Sequence, residues 1–293
     1  DIGVSGEEST ATIKAGKNIN LDTVKTGSSN DVVFDKDNYR HDKSRKDIGT
    51  AIHTDGNLAL EAGRDMNATA AYVKAGKELN IKACKDINIK AGHDYETVDE
   101  HHVHEGRSGG GNKQVTTTDK KIKGDYALGS TLSGNSVDMQ AGNDANITGS
   151  NVVGTKDVNI QAGKDVNITA ADEVQEEKSF YQLKESGIFG SGFGFTIGTQ
   201  TTKETNKGQS TMKAGSTVGS VEGSVNIEAG NKVGVEASAI VAGKDINISA
   251  KEVDITSANE QHDSQYRYEH KMTGLTISVG GGIIDRAQKV VSS

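Results

Sequence analysis

A seven-residue phrase, Ala242-Gly243-Lys244-Asp245-Ile246-Asn247-Ile248, recurs along the chain and leaves few folds open. Copies begin at Ala15, Ala62, Ala75, Ala83, Ala141, Gly154 and Ala162, with looser ones at Ala91 and Ala229. From one glycine position to the next the steps are thirteen (Gly63 to Gly76), eight (to Cys84) and eight (to Gly92). They are thirteen again from Gly142 to Thr155 and eight from there to Gly163. Thirteen and eight make a period of about 21, short for two packed helices but suited to one coil of a parallel β-solenoid. Within each copy the two aliphatic residues fall on one side of a strand and the Asp and Asn on the other, the strand period of two. The glycine is read as a positive-φ corner, with Lys-Asp continuing the turn in solvent. The expected fold class is therefore all-β: a parallel β-helix of about 21 residues per coil, two or three strands to a coil. About nine or ten coils at ~4.8 Å each would give a rod of roughly 45 Å.

Composition agrees with a solenoid better than with a round core. Only 33% of the 293 residues are hydrophobic and 4% aromatic, whereas a coil stack needs just a narrow column of Ile, Val, Leu and Ala. The 36 Gly suit many corners, and the absence of Pro leaves every backbone N–H free to join a ladder. The net charge of −8, with both signs intermixed, disfavours nucleic acid as a partner. The single cysteine, Cys84, stands at a repeat glycine position and is read as a drifted corner residue. No apolar run approaches ~18 residues, so no transmembrane helix is expected. Asp1 is not an initiator methionine, and the chain reads as an excerpt from something longer.

The copies come in blocks. The divisions read from the sequence are 1–56, an N-terminal coil with a polar loop at Asp35 to Asp47, then repeat units at 57–121, 122–208 and 209–293. Each unit is a block of coils, then a charged lapse, then a Gly-flanked amphipathic strand, with a superperiod near 80 that aligns Gly163 with Gly243. In the two clearest such strands Phe193, Phe195 and Ile197 share one face, as do Leu275, Ile277 and Val279. Each is expected in a hairpin that either projects from the solenoid or packs along its side. The six residues are candidates for membrane or partner contact, because alternating strands also build membrane barrels. The other reading is that their apolar faces cover the coil stack.

Candidate chemistry is sparse. His101, His102 and His104, flanked by Glu100 and Glu105, are the one ligand-like cluster, and nothing at fixed spacing completes a metal site. A solvated charged loop is the preferred reading, and no metal or cofactor is expected. The Asp column (Asp65, Asp86, Asp144, Asp157, Asp165, Asp245) lacks the calcium-roll spacing and is read as local turn bonding. The Asn column (Asn80, Asn88, Asn146, Asn159, Asn167, Asn247) is read as side-chain amide ladders between coils. No nucleophile elbow, phosphate loop or Cys/His motif occurs. Trp, a frequent sugar-stacking residue, is absent, so an enzyme is not expected.

The Ala-Gly-Lys-Asp-Ile-Asn-Ile copies, Gly129-Ser130-Thr131-Leu132 opening a unit, and the Gly-rich close at Phe193-Gly194-Phe195-Thr196-Ile197-Gly198 carry a resemblance. From about residue 57 on, the chain resembles the haemagglutinin repeats of filamentous-haemagglutinin-type exoproteins. These include the contact-dependent growth-inhibition (CdiA-type) effectors of Gram-negative two-partner secretion. The resemblance implies a right-handed parallel β-helix, export through an outer-membrane transporter and a place at the cell surface. It further implies that repeats of this kind act in carrying a C-terminal toxin across the target-cell outer membrane, which makes that membrane or a surface receptor a partner. No small-molecule substrate is expected. The alternatives are a passive adhesin stalk or binding surface and, less favoured, a β-helical polysaccharide enzyme. Cys84 and Thr155 replace the repeat glycine, and residues 1–56 match poorly.

Overall fold

The computed structural model describes residues 1–191, 194–278, 282–284 and 289–292. It holds three parallel sheets of seven strands and one antiparallel sheet of nine. The parallel sheets are the three sides of a β-helix. The second coil shows the pattern: Ala51–Thr54 on the first side, Asn57–Ala62 on the second, Met66–Thr69 on the third. The chain then steps up one strand spacing and repeats. Paired positions on the second side are 21 residues apart between the second and third coils, Leu58 beside Leu79, and again between Val137 and Val158 and between Val225 and Ile246.

Inward residues stack into columns because the side-chain period of two repeats in register from coil to coil. Ile52, Val73, Leu132, Val152 and Val218 form one column. Leu58, Leu79, Val137, Val158 and Val225 form a second. A third runs from Met66 through Ile87, Ala145 and Val166 to Val233. All of these side chains are sealed from solvent.

The stack has seven coils rather than nine or ten, about 29 Å along six strand spacings. The shortfall lies in the lapses, which are long strands and not loops. A hairpin leaves the helix after the first, third and fifth coils. Strands β1 (Val24–Asp35) and β2 (Asn38–Ile48) form the first hairpin. The second is β3 (Gly92–Arg107) with β4 (Lys113–Leu128), and the third β5 (Ala171–Ser191) with β6 (Gly194–Ala214). Strand β7 (Gln261–Ser278) follows the seventh coil. The polar run expected as a loop at Asp35 to Asp47 is therefore mostly strand β2. Positions 121/122 and 208/209 lie inside β4 and β6, and we propose to cut the repeat units where each hairpin rejoins the helix, near residues 50, 130 and 216.

All hairpins leave at the corner between the third and first sides, and together they form one sheet, ordered β7-β6-β5-β4-β3-β2-β1. The geometry is commensurate. Two coils advance by two strand spacings and a hairpin is two strands wide, so one hairpin per two coils fills a continuous sheet without gap or crowding. We call this sheet the fin. The root is held by buried serines: Ser130 Oγ accepts from Ala71 N at 2.9 Å, Ser150 Oγ from Ser130 N at 3.1 Å, and Ser216 Oγ from Ser150 N at 3.1 Å.

Positive φ lies elsewhere than expected. The left-handed residues at returns that carry no hairpin are Ala70 (φ 46°), Gly149 (55°) and Ala237 (45°). The heptad glycines are required instead by close approach. A Cβ on Gly142 would stand 2.1 Å from the Cys84 carbonyl oxygen, and one on Gly163 2.1 Å from that of Gly142. Apart from Asn80, the Asn column resolves into two ladders. Asn20, Asn67, Asn88, Asn146 and Asn167 pass amide bonds of 2.8–3.0 Å up the third side. Asp138, Asn159, Asn226 and Asn247 do so on the second at 2.7–2.9 Å. The Asp column, expected to bond within its own turns, bonds between coils: Asp86 accepts from Asp144 N at 3.3 Å and Asp144 from Asp165 N at 3.2 Å.

Candidate functional site

The fin is a single layer. Its strands alternate polar and β-branched residues on both faces, and apart from Thr196 and Asp47 they carry almost no buried side chain. Cohesion comes from cross-strand pairs. Lys121 meets Asp99 at 3.1 Å, His101 meets Asp119 at 2.5 Å and Arg40 meets Glu100 at 3.2 Å. Tyr126 donates to Glu96 at 3.0 Å, and partial burial together with that carboxylate raises its phenol above the ordinary value.

The hairpins lengthen along the helix, so β5 and β6 overhang the rest. Pairing between β4 and β5 ends at Lys113 and Ser186. Beyond it the side chain of Asn112 stands in for a strand, accepting from Ile188 N at 2.9 Å and donating to Ile188 O at 3.0 Å. Three glycines, Gly187, Gly198 and Gly274, are in register across β5, β6 and β7 and mark the base of this overhang. Past that row the composition changes. Ile188, Ile197 and Leu275 pair across the three strands, and Phe195 pairs with Ile277. The strand period puts all five on one face. They are 60%, 48%, 46%, 37% and 38% exposed among the described residues. On the opposite face Thr196 and Thr276 hydroxyls bond at 2.8 Å. Ile188 is seventeen residues beyond Ala171, which lifts the cluster roughly 58 Å from the helix.

Four of the six residues singled out in sequence, Phe195, Ile197, Leu275 and Ile277, are thus brought together. Phe193 and Val279 lie outside the described residues. The packed-side alternative for these faces is not what the structure shows, since the four point into solvent. Ile188 had no signal of its own, being a lone aliphatic in Gly187-Ile188-Phe189-Gly190. The histidines are split by strand alternation: His101 faces one side with Asp119, while His102 faces the other and meets Glu100 at 2.8 Å. His104 shares the His102 face. Among the described residues no group of three His, Cys, Asp or Glu converges as a metal site.

A groove of about 1000 Å³ runs along one corner of the helix, over stacked Ala and Gly. Its wall carries Lys14, Glu61, Lys82, Gln140, Gln161 and Glu228. Glu61 is bridged to Lys14 at 2.8 Å, and Lys14 in turn pulls its carboxyl below the usual range. Glu61 and Glu228 are four coils apart, roughly 19 Å. Carboxyl pairs that cleave glycosides stand about 5 to 9.5 Å apart.

A helix of three parallel sides, with a hairpin added every second coil to a common fin, defines an extended repeat architecture in which each unit contacts its neighbours. The chain matches the hemagglutinin repeat over residues 34–182 and again over 110–275, and it belongs to that family. It is 30% identical over 260 residues to the "tRNA nuclease CdiA-2" of Burkholderia pseudomallei, covering 86% of this chain and 8% of that protein. It is 30% identical over 251 residues to the "tRNA nuclease CdiA" of Escherichia coli, 84% of this chain and 7% of that one. It is 35% identical over 158 residues to the "Toxin CdiA" of Yersinia pestis, 54% and 5% respectively. The chain therefore spans less than a tenth of each of these three relatives, as a haemagglutinin-repeat region of a CdiA-type exoprotein. Such exoproteins are secreted and surface-exposed in Gram-negative bacteria. No solved structure matches it.

Proposed function

We propose that this chain is a non-catalytic carrier segment of a secreted surface exoprotein, and that its fin tip contacts the outer membrane of a target cell during delivery of a toxin domain. The observation that carries this reading is the exposed cluster of Ile188, Phe195, Ile197, Leu275 and Ile277 at the end of a long polar sheet. Exposed apolar patches on an otherwise polar surface mark interaction sites. Here the shaft holds the patch away from the helix, where packing would otherwise bury it. The wide spacing of the groove carboxylates supports the non-catalytic part. An outer-membrane transporter of the two-partner type is the expected partner for export.

The test is flotation of this chain with outer-membrane vesicles, beside the double variant Phe195→Asp and Ile277→Asp. The parent is expected in the floating fraction and the variant in the pellet, both with the same β-rich circular dichroism. If both stay folded and neither floats, a passive adhesin stalk replaces the delivery reading.

A further inference from the structure

The tall strands sort their charge by face. Register and strand period put Lys178 and Lys184 of β5, Lys203 and Lys207 of β6, and Arg267 and Lys271 of β7 on one face. Lys213, nearer the root, shares it with Asp172, Glu176 and Asp263 and is bridged to Asp172 at 2.5 Å. The opposite face of these three strands, over the described residues, bears no Lys or Arg and carries Glu173, Glu177, Glu185 and Glu204. From Lys178 outward the cationic face has one carboxylate, Glu269, which pairs with Arg267. Lys203, Lys207, Arg267 and the Glu269 carboxylate line a hollow of about 320 Å³ beside Phe180 and Thr205. The apolar tip is on this same cationic face, directly beyond Gly187, Gly198 and Gly274.

From this arrangement we infer that the cationic face and the apolar tip together dock on an anionic lipid leaflet, with headgroup phosphates against Lys203, Lys207 and Arg267. The inference rests on the membrane reading of the tip and adds which lipids are recognised and which face meets them. An apolar patch continuous with a row of cations complements an amphiphile. A nucleic acid would satisfy the cations and leave five aliphatic and aromatic side chains in water. The acidic opposite face is repelled by an anionic surface, so the fin lands one way round. Basic side chains near an anionic leaflet each strengthen binding by roughly fivefold.

The test uses this chain with vesicles of phosphatidylcholine alone and of phosphatidylcholine with phosphatidylglycerol. The comparison is with Lys203→Gln/Lys207→Gln/Arg267→Gln and with Phe195→Asp/Ile277→Asp. The expected result is tighter binding to the anionic vesicles, weakened on the order of a hundredfold in the triple variant and by added salt. Binding to the zwitterionic vesicles is expected to be unchanged in the triple variant and lost in the tip variant. If the anionic lipid adds nothing, or the triple variant keeps the whole increment, the charge inference is overturned while the tip reading stands. If the tip variant binds zwitterionic vesicles like the parent, the tip reading fails and the anionic increment is judged alone. Tighter binding to an oligonucleotide than to anionic vesicles overturns the lipid assignment. So does a salt-sensitive dimer in sedimentation that the triple variant dissolves, because the cations would then face the acidic side of a second copy.

Discussion

Replacing Gly198 by alanine tests the tip geometry with a single methyl group. A Cβ built there stands 2.2 Å from Thr273 O, 2.6 Å from the Gly274 Cα and 2.9 Å from the Thr273 carbonyl carbon. These are backbone atoms, so relief requires β7 to retreat by about 0.8 Å, which stretches a ladder bond of ~2.9 Å beyond useful range. Losing one or two such bonds costs about 1–3 kcal/mol. Among the described residues the tip has no buried hydrophobic core to absorb that cost. Local opening beyond the glycine row is therefore expected to rise about tenfold or more, with the helix unaffected. Gly208→Ala is the matched control, since the same strand offers its Cβ open space. Hydrogen exchange of peptides covering 188–198 and 270–278 reads the difference. Equal protection in the two variants would refute the argument that this row needs glycine for close approach.

Leu79→Ala empties a sealed position between Leu58 and Val137 and is expected to lower stability by about 2–5 kcal/mol in urea unfolding. Ser150→Ala removes the acceptor for the buried Ser130 N–H and the donor to Thr148 O; a loss of about 1–3 kcal/mol and faster exchange at the fin root are expected. Asp254 has its carboxyl depressed by Lys232, so its contribution is present above the ordinary carboxylate range and lost as pH falls through the depressed value. Urea midpoints at pH 7 and pH 3 should differ more in the parent than in Lys232→Met.

The coils were legible because their inward columns repeat as Ile-x-Ile next to a fixed corner, so each copy declares its strand and its register. Projecting hairpins were among the expectations, but the single fin they build was not legible, for a physical reason. Strand β4, with Thr116, Thr117 and Thr118 among lysines, buries neither face, so hydrophobic alternation had nothing to record and charge made it read as loop. That misreading also inflated the coil count. Phe195, Ile197, Leu275 and Ile277 kept an alternation that the sequence shows, and their facing one another across β6 and β7 needed only the register. Gly187, Gly198 and Gly274, and the cations of β5 to β7, are separated by tens of residues. Their alignment exists only once the hairpins are paired. The heptad glycine was found for the wrong cause: its neighbour is a carbonyl of the coil below, a contact absent from any local pattern.

The most direct test of the membrane-seeking tip is an environment-sensitive fluorophore placed on either side of the glycine row. In a Cys84→Ser background, one label goes on Ile197→Cys at the apolar tip and the other on Gln200→Cys, on the opposite face of β6. On adding outer-membrane vesicles, the label at 197 is expected to shift to the blue and gain intensity while the label at 200 keeps its aqueous spectrum. Identical spectra at the two positions, with the protein nonetheless vesicle-bound, would contradict the account.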